Sequence, residues 1–262
     1  MEVQDIKVAP DTYQGRFMKR IHFIMLSVLL LFACTDDNST TDPTTEGPMR
    51  HLQRMDCTVT EGEHSFSWYN TYNWDGDNLV QYTHHYDDGD PDLQFDFHIE
   101  NGRVAFSTLT VNGEQYPWCT YHYDGDRIDY IVFEGEKYYY TYNGEKIVTI
   151  NFTEGNEEMT FSLSWNGDNC TQVDDQSINE PEWIKYDFDG KRNPLKLPMG
   201  VGLQEMGYEL LGLIWSNNNY THYSQSNGDS YTATYTHDGD YPTRRTVSGE
   251  NYSEEYTFTY SD

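Results

Sequence analysis

The sequence predicts an all-β fold, a long antiparallel up-and-down meander curled into a barrel-like sheet. Three observations carry this reading. Aromatic–Asp/Asn–Gly–polar units recur along the chain, and apolar and polar residues alternate between them. Aromatic residues are abundant, with 23 Tyr, 12 Phe and 6 Trp. Asp-Gly and Asn-Gly tolerate the positive φ of tight hairpin turns. Alternation with period two turns one face of each strand inward. Tyrosine suits half-buried strands, because its ring packs while its hydroxyl stays wet.

The N-terminus stands apart from the fold. Residues 1–17 fit no signal peptide, and Met18 is the better translation start. From Met18 the chain reads MKRIHFIMLSVLLLFAC, a basic pair followed by an apolar run of about a dozen residues, too short for a spanning helix. Leu31-Phe32-Ala33-Cys34 resembles the lipobox of bacterial lipoproteins. That resemblance implies a signal peptide over 18–33, cleavage before Cys34, and lipidation of Cys34. Several acyl chains on one residue would hold the protein to a membrane. Residues 34–49 have almost no apolar side chain and read as a flexible tether. Cys34-Thr35-Asp36-Asp37 also resembles the acidic signal of surface-exposed lipoproteins in Bacteroidetes-type bacteria. The expected location is the outer membrane, facing the exterior.

From Cys34 onward the chain has 12 Lys and Arg against 41 Asp and Glu, a formal net charge of −29. Such a chain repels phosphate backbones, which argues against nucleic acid as a partner. Anionic headgroups would repel it too, so contact with the membrane falls to the lipid anchor. Cys57, Cys119 and Cys170 show no zinc spacing and read as packing residues, with any disulfide among them left open.

The turn units begin at Trp74-Asp75-Gly76-Asp77 and return at Tyr123-Asp124-Gly125-Asp126, Tyr142-Asn143-Gly144-Glu145 and Trp165-Asn166-Gly167-Asp168. The last is His237-Asp238-Gly239-Asp240. With the looser pairs Asp88-Gly89, Asn101-Gly102, Asn112-Gly113, Glu134-Gly135 and Glu154-Gly155 between them, the turns from Gly76 to Gly167, read as type I′, fall nine to thirteen residues apart and leave room for one strand each. Leu93, Phe95, Phe97 and Ile99 share one face, as do Met159, Phe161, Leu163 and Trp165. Tyr252, Tyr256, Phe258 and Tyr260 form a third such face. The β-meander domain spans 50–262 with about fourteen strands, and a sheet that long should curl or close. Strands of seven to nine residues with Asp, Glu and Ser outside do not build the apolar band of a membrane barrel.

One helix and loop insertion near 191–219 breaks the rhythm. Leu203, Met206, Leu210 and Leu213 fall at helical spacing, as a short helix capping the sheet's open mouth would require. Just before it, Tyr186-Asp187-Phe188-Asp189-Gly190-Lys191-Arg192-Asn193-Pro194-Leu195 resembles a segment of a Bacteroidetes-type lipoprotein family of unknown function with a porin-like β fold. Ser216-Asn217-Asn218 and the stretch from Tyr235 to Thr243 are similar to that family's later landmarks. The resemblance spans roughly residues 50–262 and implies fold and location, with no catalytic residues to carry over.

Two groups of side chains invite chemistry. Asp88, Asp90 and Asp92 alternate in HHYDDGDPD and offer oxygens to a hard cation such as Ca²⁺, though the distal acid of a full calcium loop is missing. The competing reading is a solvated acidic turn, which also covers Asp75/Asp77, Asp124/Asp126 and Asp238/Asp240. Trp68, Tyr69, Tyr72 and Trp74 offer rings to a sugar's C–H face; the competing reading makes them the sheet's core. His84 and His85, adjacent on a strand, point to opposite faces. Paired carboxylates could hydrolyse a glycan, but among 41 acids such pairing carries no information, and motifs for other hydrolases and phosphate loops are absent. The expected function is a non-catalytic surface module that binds glycan or an envelope protein, with a structural role as the alternative.

Overall fold

The computed structural model describes residues 50–76, 78–87, 89–154, 157–176, 182–193 and 214–261. The signal peptide, Cys34, the tether, Asp88 and the helical stripe at Leu203–Leu213 all lie outside these residues.

Sixteen strands cross the described residues, two more than the turn units suggested. They are β1 (Leu52–Glu61), β2 (His64–Asp75), β3 (Asn78–Tyr86), β4 (Leu93–Glu100), β5 (Arg103–Val111) and β6 (Glu114–Asp124). Next come β7 (Arg127–Phe133), β8 (Glu136–Asn143), β9 (Lys146–Glu154), β10 (Glu157–Asn166) and β11 (Asn169–Asp175). The last are β12 (Glu182–Arg192), β13 (Asn218–Gln225), β14 (Ser230–Asp238), β15 (Tyr241–Gly249) and β16 (Tyr252–Tyr260). The shortfall has a local cause. The connection from β11 to β12 carries no Asx-Gly pair, and both ends of the expected 191–219 insertion belong to strands. Several strands also run to eleven or twelve residues, beyond the expected seven to nine.

Each strand pairs antiparallel with its neighbours in sequence, and β1 pairs with β16, so the barrel is closed. Closure removes both sheet edges. Even strands end, and odd strands begin, at one rim. The first and last described residues lie there too, joined by Ser261 N–H donating to the His51 carbonyl at 2.8 Å. This is the near rim, and the turns from odd to even strands form the far rim.

Inward residues are mainly apolar and buried: Met55, Ile147, Ile150 and Val247 are each 0% exposed. Their outward neighbours, such as Thr58, Asn73, Thr141 and Ser164, are exposed polar residues. A membrane barrel has the reverse polarity on its outer wall. From the far end of the insertion, Ile214 and Trp215 enter the core, and Trp215 meets Tyr140 edge-on at 6.4 Å. Asn193 ties the insertion's two ends together, donating from Nδ2 to the Ser216 carbonyl at 3.0 Å.

The recurring turn unit has a division of labour that its sequence does not display. Asn101-Gly102 and Asn112-Gly113 both take positive φ, as type I′ requires. In the aromatic–Asx–Gly–acid units the Asx residue instead closes the strand. Asp124 pairs with Arg127, leaving Gly125 and Asp126 as the loop, and only the glycine has positive φ, at 59°. Gly144, Gly167 and Gly239 repeat this arrangement, which suits type II′. The expectation of type I′ throughout is thereby corrected.

Beside each such turn the ladder slips by one residue, leaving Asp129, Val148, Thr171 and Thr243 as bulges. Bulges bend and coil a sheet, which helps sixteen strands close. The carbonyl just before a bulge then receives a side-chain donor from the next strand. Tyr142 Oη donates to the Ile128 carbonyl at 2.9 Å, Trp165 Nε1 to Ile147 at 2.7 Å and Tyr260 Oη to Pro242 at 2.8 Å. Tyr123 serves Val104 and Trp74 serves Leu52 in the same way, at 3.0 and 2.8 Å.

Candidate functional site

At four near-rim turns the acid after the glycine is committed to a base one hairpin back. Arg103 pairs with Asp126, Arg127 with Glu145, Lys146 with Asp168 at 2.5 Å and Lys191 with Asp240 at 2.8 Å. Arg50 reaches Asp238 at 2.9 Å. Three of these bases also lie over the unit's aromatic ring: Arg103 over Tyr123, Arg127 over Tyr142 and Lys146 over Trp165. Asp126, Asp238 and Asp240, read as solvated acids, therefore belong to a belt of exposed ion pairs around the near rim. Each such pair is worth little by itself. The far-rim turns carry Glu61, Glu63, Asp92, Glu114, Glu134 and Glu250, and no Lys or Arg among their described residues.

Asp90 and Asp92, two of the aspartates considered for calcium, lie at the far rim. Asp92 accepts from His85 Nδ1 at 2.9 Å. Asp88 is outside the described residues, and among the described residues no group of three His, Cys, Asp or Glu is placed to hold a metal.

The four rings considered for sugar stacking do not share a surface, because strand alternation divides them. Trp68 and Tyr72 point into the barrel and are 3% and 4% exposed. Trp74 is half-buried and donates to the Leu52 carbonyl. Tyr69 faces outward with both ring faces covered, by His85 at 4.3 Å and by the Arg54 guanidinium at 3.8 Å. A flat exposed platform from this group is ruled out by that geometry.

Other rings do reach the outer wall. His122 stacks on Tyr130 at 4.3 Å, and Tyr130 meets Tyr139 at 5.4 Å. Cross-strand register continues the row through Asn151 to Thr160, whose hydroxyl donates to the Asn151 amide oxygen at 2.9 Å. Tyr139 is 46% exposed, and Phe106 lies on a nearby outward position at 36%. The sequence signal for this row was the Tyr138-Tyr139-Tyr140 triplet, whose middle ring must face away from its neighbours.

Inside the barrel lies a polar centre that sequence reasoning missed. Arg245 on β15 and Glu254 on β16 are 0% and 2% exposed. Glu254 occupies the inward position passed over in the apolar face Tyr252–Tyr260. Its carboxylate accepts from the Tyr252 and Tyr256 hydroxyls, the latter at 2.7 Å. Burial raises the Glu254 carboxyl above its ordinary range, with Arg245 and the two phenols pulling the other way. The Arg245 guanidinium lies 3.7 Å over Tyr256 and 5.5 Å from the Tyr220 ring. Burial opposes its charge, yet Tyr220, Tyr256, Tyr235 and Glu254 outweigh that and hold its pKa above the ordinary value.

A second buried polar group adjoins the first, since the Trp68 ring lies 6.0 Å from Tyr256. Asn70 Oδ1 accepts from His84 Nδ1 at 2.7 Å and from Tyr82 Oη at 3.3 Å. Burial, then the neighbouring His85, lowers the His84 pKa to about 3, so the imidazole is neutral. The two histidines do face opposite ways. Cys57, Cys119 and Cys170 are buried and not joined to one another by disulfides, and burial pushes the Cys57 and Cys170 thiols up.

Together these features define a class: closed meandering β-barrels with an apolar, ring-filled interior, a polar outer wall and a small polar centre inside. Among solved structures the fold is similar to a porin-like protein from Bacteroides uniformis ATCC 8492, with a TM-score of 0.56 at 11% identity. That likeness covers 80% of this chain and 98% of the other. A porin-like protein from Bacteroides vulgatus ATCC 8482 gives a TM-score of 0.43 at 15% identity, over 81% and 99% of the two chains. No protein-family profile and no curated protein matches the sequence.

Proposed function

We propose that this chain is a non-catalytic, lipid-anchored module of the outer membrane that binds glycan at the cell surface. The observation that carries the reading is the outward row His122–Tyr130–Tyr139–Asn151–Thr160, which places rings beside an amide and a hydroxyl across five strands. Stacked rings of this kind offer a sugar a C–H-binding edge, with Tyr139 46% exposed, and Asn151 and Thr160 suit its hydroxyls. The first and last described residues lie at the near rim. A tether at 34–49 with a root-mean-square reach of about 20 Å would hold that rim toward the membrane and turn the acidic far rim outward.

The test is a glycan array probed with the purified protein, with and without Ca²⁺. Retention that Tyr139→Ala abolishes supports the row. Loss in chelator supports a cation at Asp88, Asp90 and Asp92. Cleaved products would favour a hydrolase instead. Absence of any glycan binding, with an envelope protein recovered by crosslinking in cells, overturns the glycan reading in favour of a protein partner.

A further inference from the structure

Arg245 is fully buried, and Nε, Nη1 and Nη2 make no hydrogen bond. The rings of Tyr256 and Tyr220 cover the guanidinium's faces, at 3.7 and 5.5 Å. Its N–H bonds, however, lie in the guanidinium plane and point past stacked rings. The oxygens that might receive them make hydrogen bonds to other groups. Both Glu254 oxygens accept phenol hydroxyls, and no Arg245–Glu254 ion pair forms. The Tyr235 hydroxyl, whose own hydrogen goes to the Tyr220 carbonyl at 2.9 Å, interacts with the guanidinium but closes no hydrogen bond to its three nitrogens. A buried charge without a hydrogen-bonded partner costs several kcal/mol, so native interiors supply one.

The unmatched buried atoms include two further donors, alongside the acceptors His84 Nε2 and Asn219 Oδ1. Trp68 Nε1, in the ring 6.0 Å from Tyr256, has no partner, and neither does Asn70 Nδ2. Donors around a fixed positive charge select an anion. The enclosure is tight, with Arg245 and Tyr256 both 0% exposed, which excludes an organic acid with a side chain. Among small anions a halide is cheap to dehydrate and accepts N–H bonds from any direction.

We propose that the barrel interior binds a single halide ion, chloride in the cell, at the edge of the Arg245 guanidinium between β14, β15 and β16. The site is separate from the outer glycan row and does not depend on it. Glu254 brings a competing negative charge to the same space. The ion is therefore held best when Glu254 carries its proton, the direction in which burial moves that carboxyl. Cys57, Tyr220, Tyr235, Tyr252 and Tyr256 also face the centre, and their burial keeps them neutral.

Thermal melts of the purified protein at constant ionic strength, with gluconate replaced stepwise by chloride, test this. The melting temperature of the wild type should rise with chloride and saturate, as binding to the folded state alone requires. Glu254→Gln should lower the half-saturating chloride concentration about tenfold. Arg245→Met should show no chloride dependence. Should that variant fail to fold, crystals of the wild type grown in bromide provide the second reading, an anomalous peak against the guanidinium. Equal melting temperatures in chloride and gluconate, chloride dependence kept by Arg245→Met, or bromide crystals without that peak would each overturn the proposal.

Discussion

Tyr142 donates its hydroxyl hydrogen to the carbonyl of Ile128 at 2.9 Å, and the residue after Ile128 is the bulged Asp129. The bulge that bends the sheet and the aromatic that precedes the turn glycine are thus two halves of one device. It recurs at Trp74, Tyr123 and Trp165, and Tyr260 on the last strand makes the same bond to the carbonyl before a bulge.

The hydroxyl alone should therefore carry measurable stability. Tyr142→Phe keeps the ring and leaves a part-buried carbonyl short of a donor, a loss of about 1–2 kcal/mol. Urea denaturation measures it. Tyr139→Phe, on the outer wall, should stay within about 0.5 kcal/mol of wild type. Equal effects at the two positions would sink the idea.

Turn geometry predicts a different asymmetry. Nothing lies within 4 Å of a methyl placed on Gly144, yet its φ of 60° disfavours any side chain. Gly144→Ala should cost about 1–2 kcal/mol through backbone strain alone. Arg127→Ala, which breaks the exposed pair with Glu145, should change the denaturation midpoint much less.

His84 makes stability depend on acid. Its pKa is lowered from 6.5 to about 3, so the folded state binds fewer protons than the unfolded state. Its contribution is complete above the unfolded value and is lost as pH falls from there toward the folded value. Between about pH 7 and about pH 4 the wild type should lose on the order of 3 kcal/mol relative to His84→Gln. Parallel pH profiles for the two proteins would refute this assignment.

The anchor is tested through Cys34. Labelled palmitate should enter the wild type and not Cys34→Ala, which should leave the membrane fraction. Label retained by the variant would remove the lipoprotein reading and the orientation built on it.

Much of this molecule is written locally. The Leu93–Ile99 and Met159–Trp165 alternations, the opposed directions of His84 and His85, and the places where glycines turn the chain all follow from residues a few positions apart. Strand geometry makes such patterns legible, because side-chain direction has period two. Other features were hidden from the sequence although every residue was visible. Asp126 read as a solvated acid because its partner Arg103 is 23 residues away. Trp68 and Tyr72 could be read as platform or as core, since the alternation does not say which face becomes the inside.

What the sequence determined by itself is the strand-and-turn rhythm, the all-β class and the half-buried character of each strand. Tertiary structure decided the rest. The pairing of β1 with β16 closed the barrel, and closure chose the face that holds Trp68, Tyr72 and His84 as the interior. Register then set Arg245 opposite Tyr256 across two strands, so that one buried cation came to lie on a ring with no partner for its nitrogens. Period and propensity depend on neighbours in the chain, whereas closure and cross-strand pairing depend on bulges and on contacts up to some two hundred residues apart, which no local window contains.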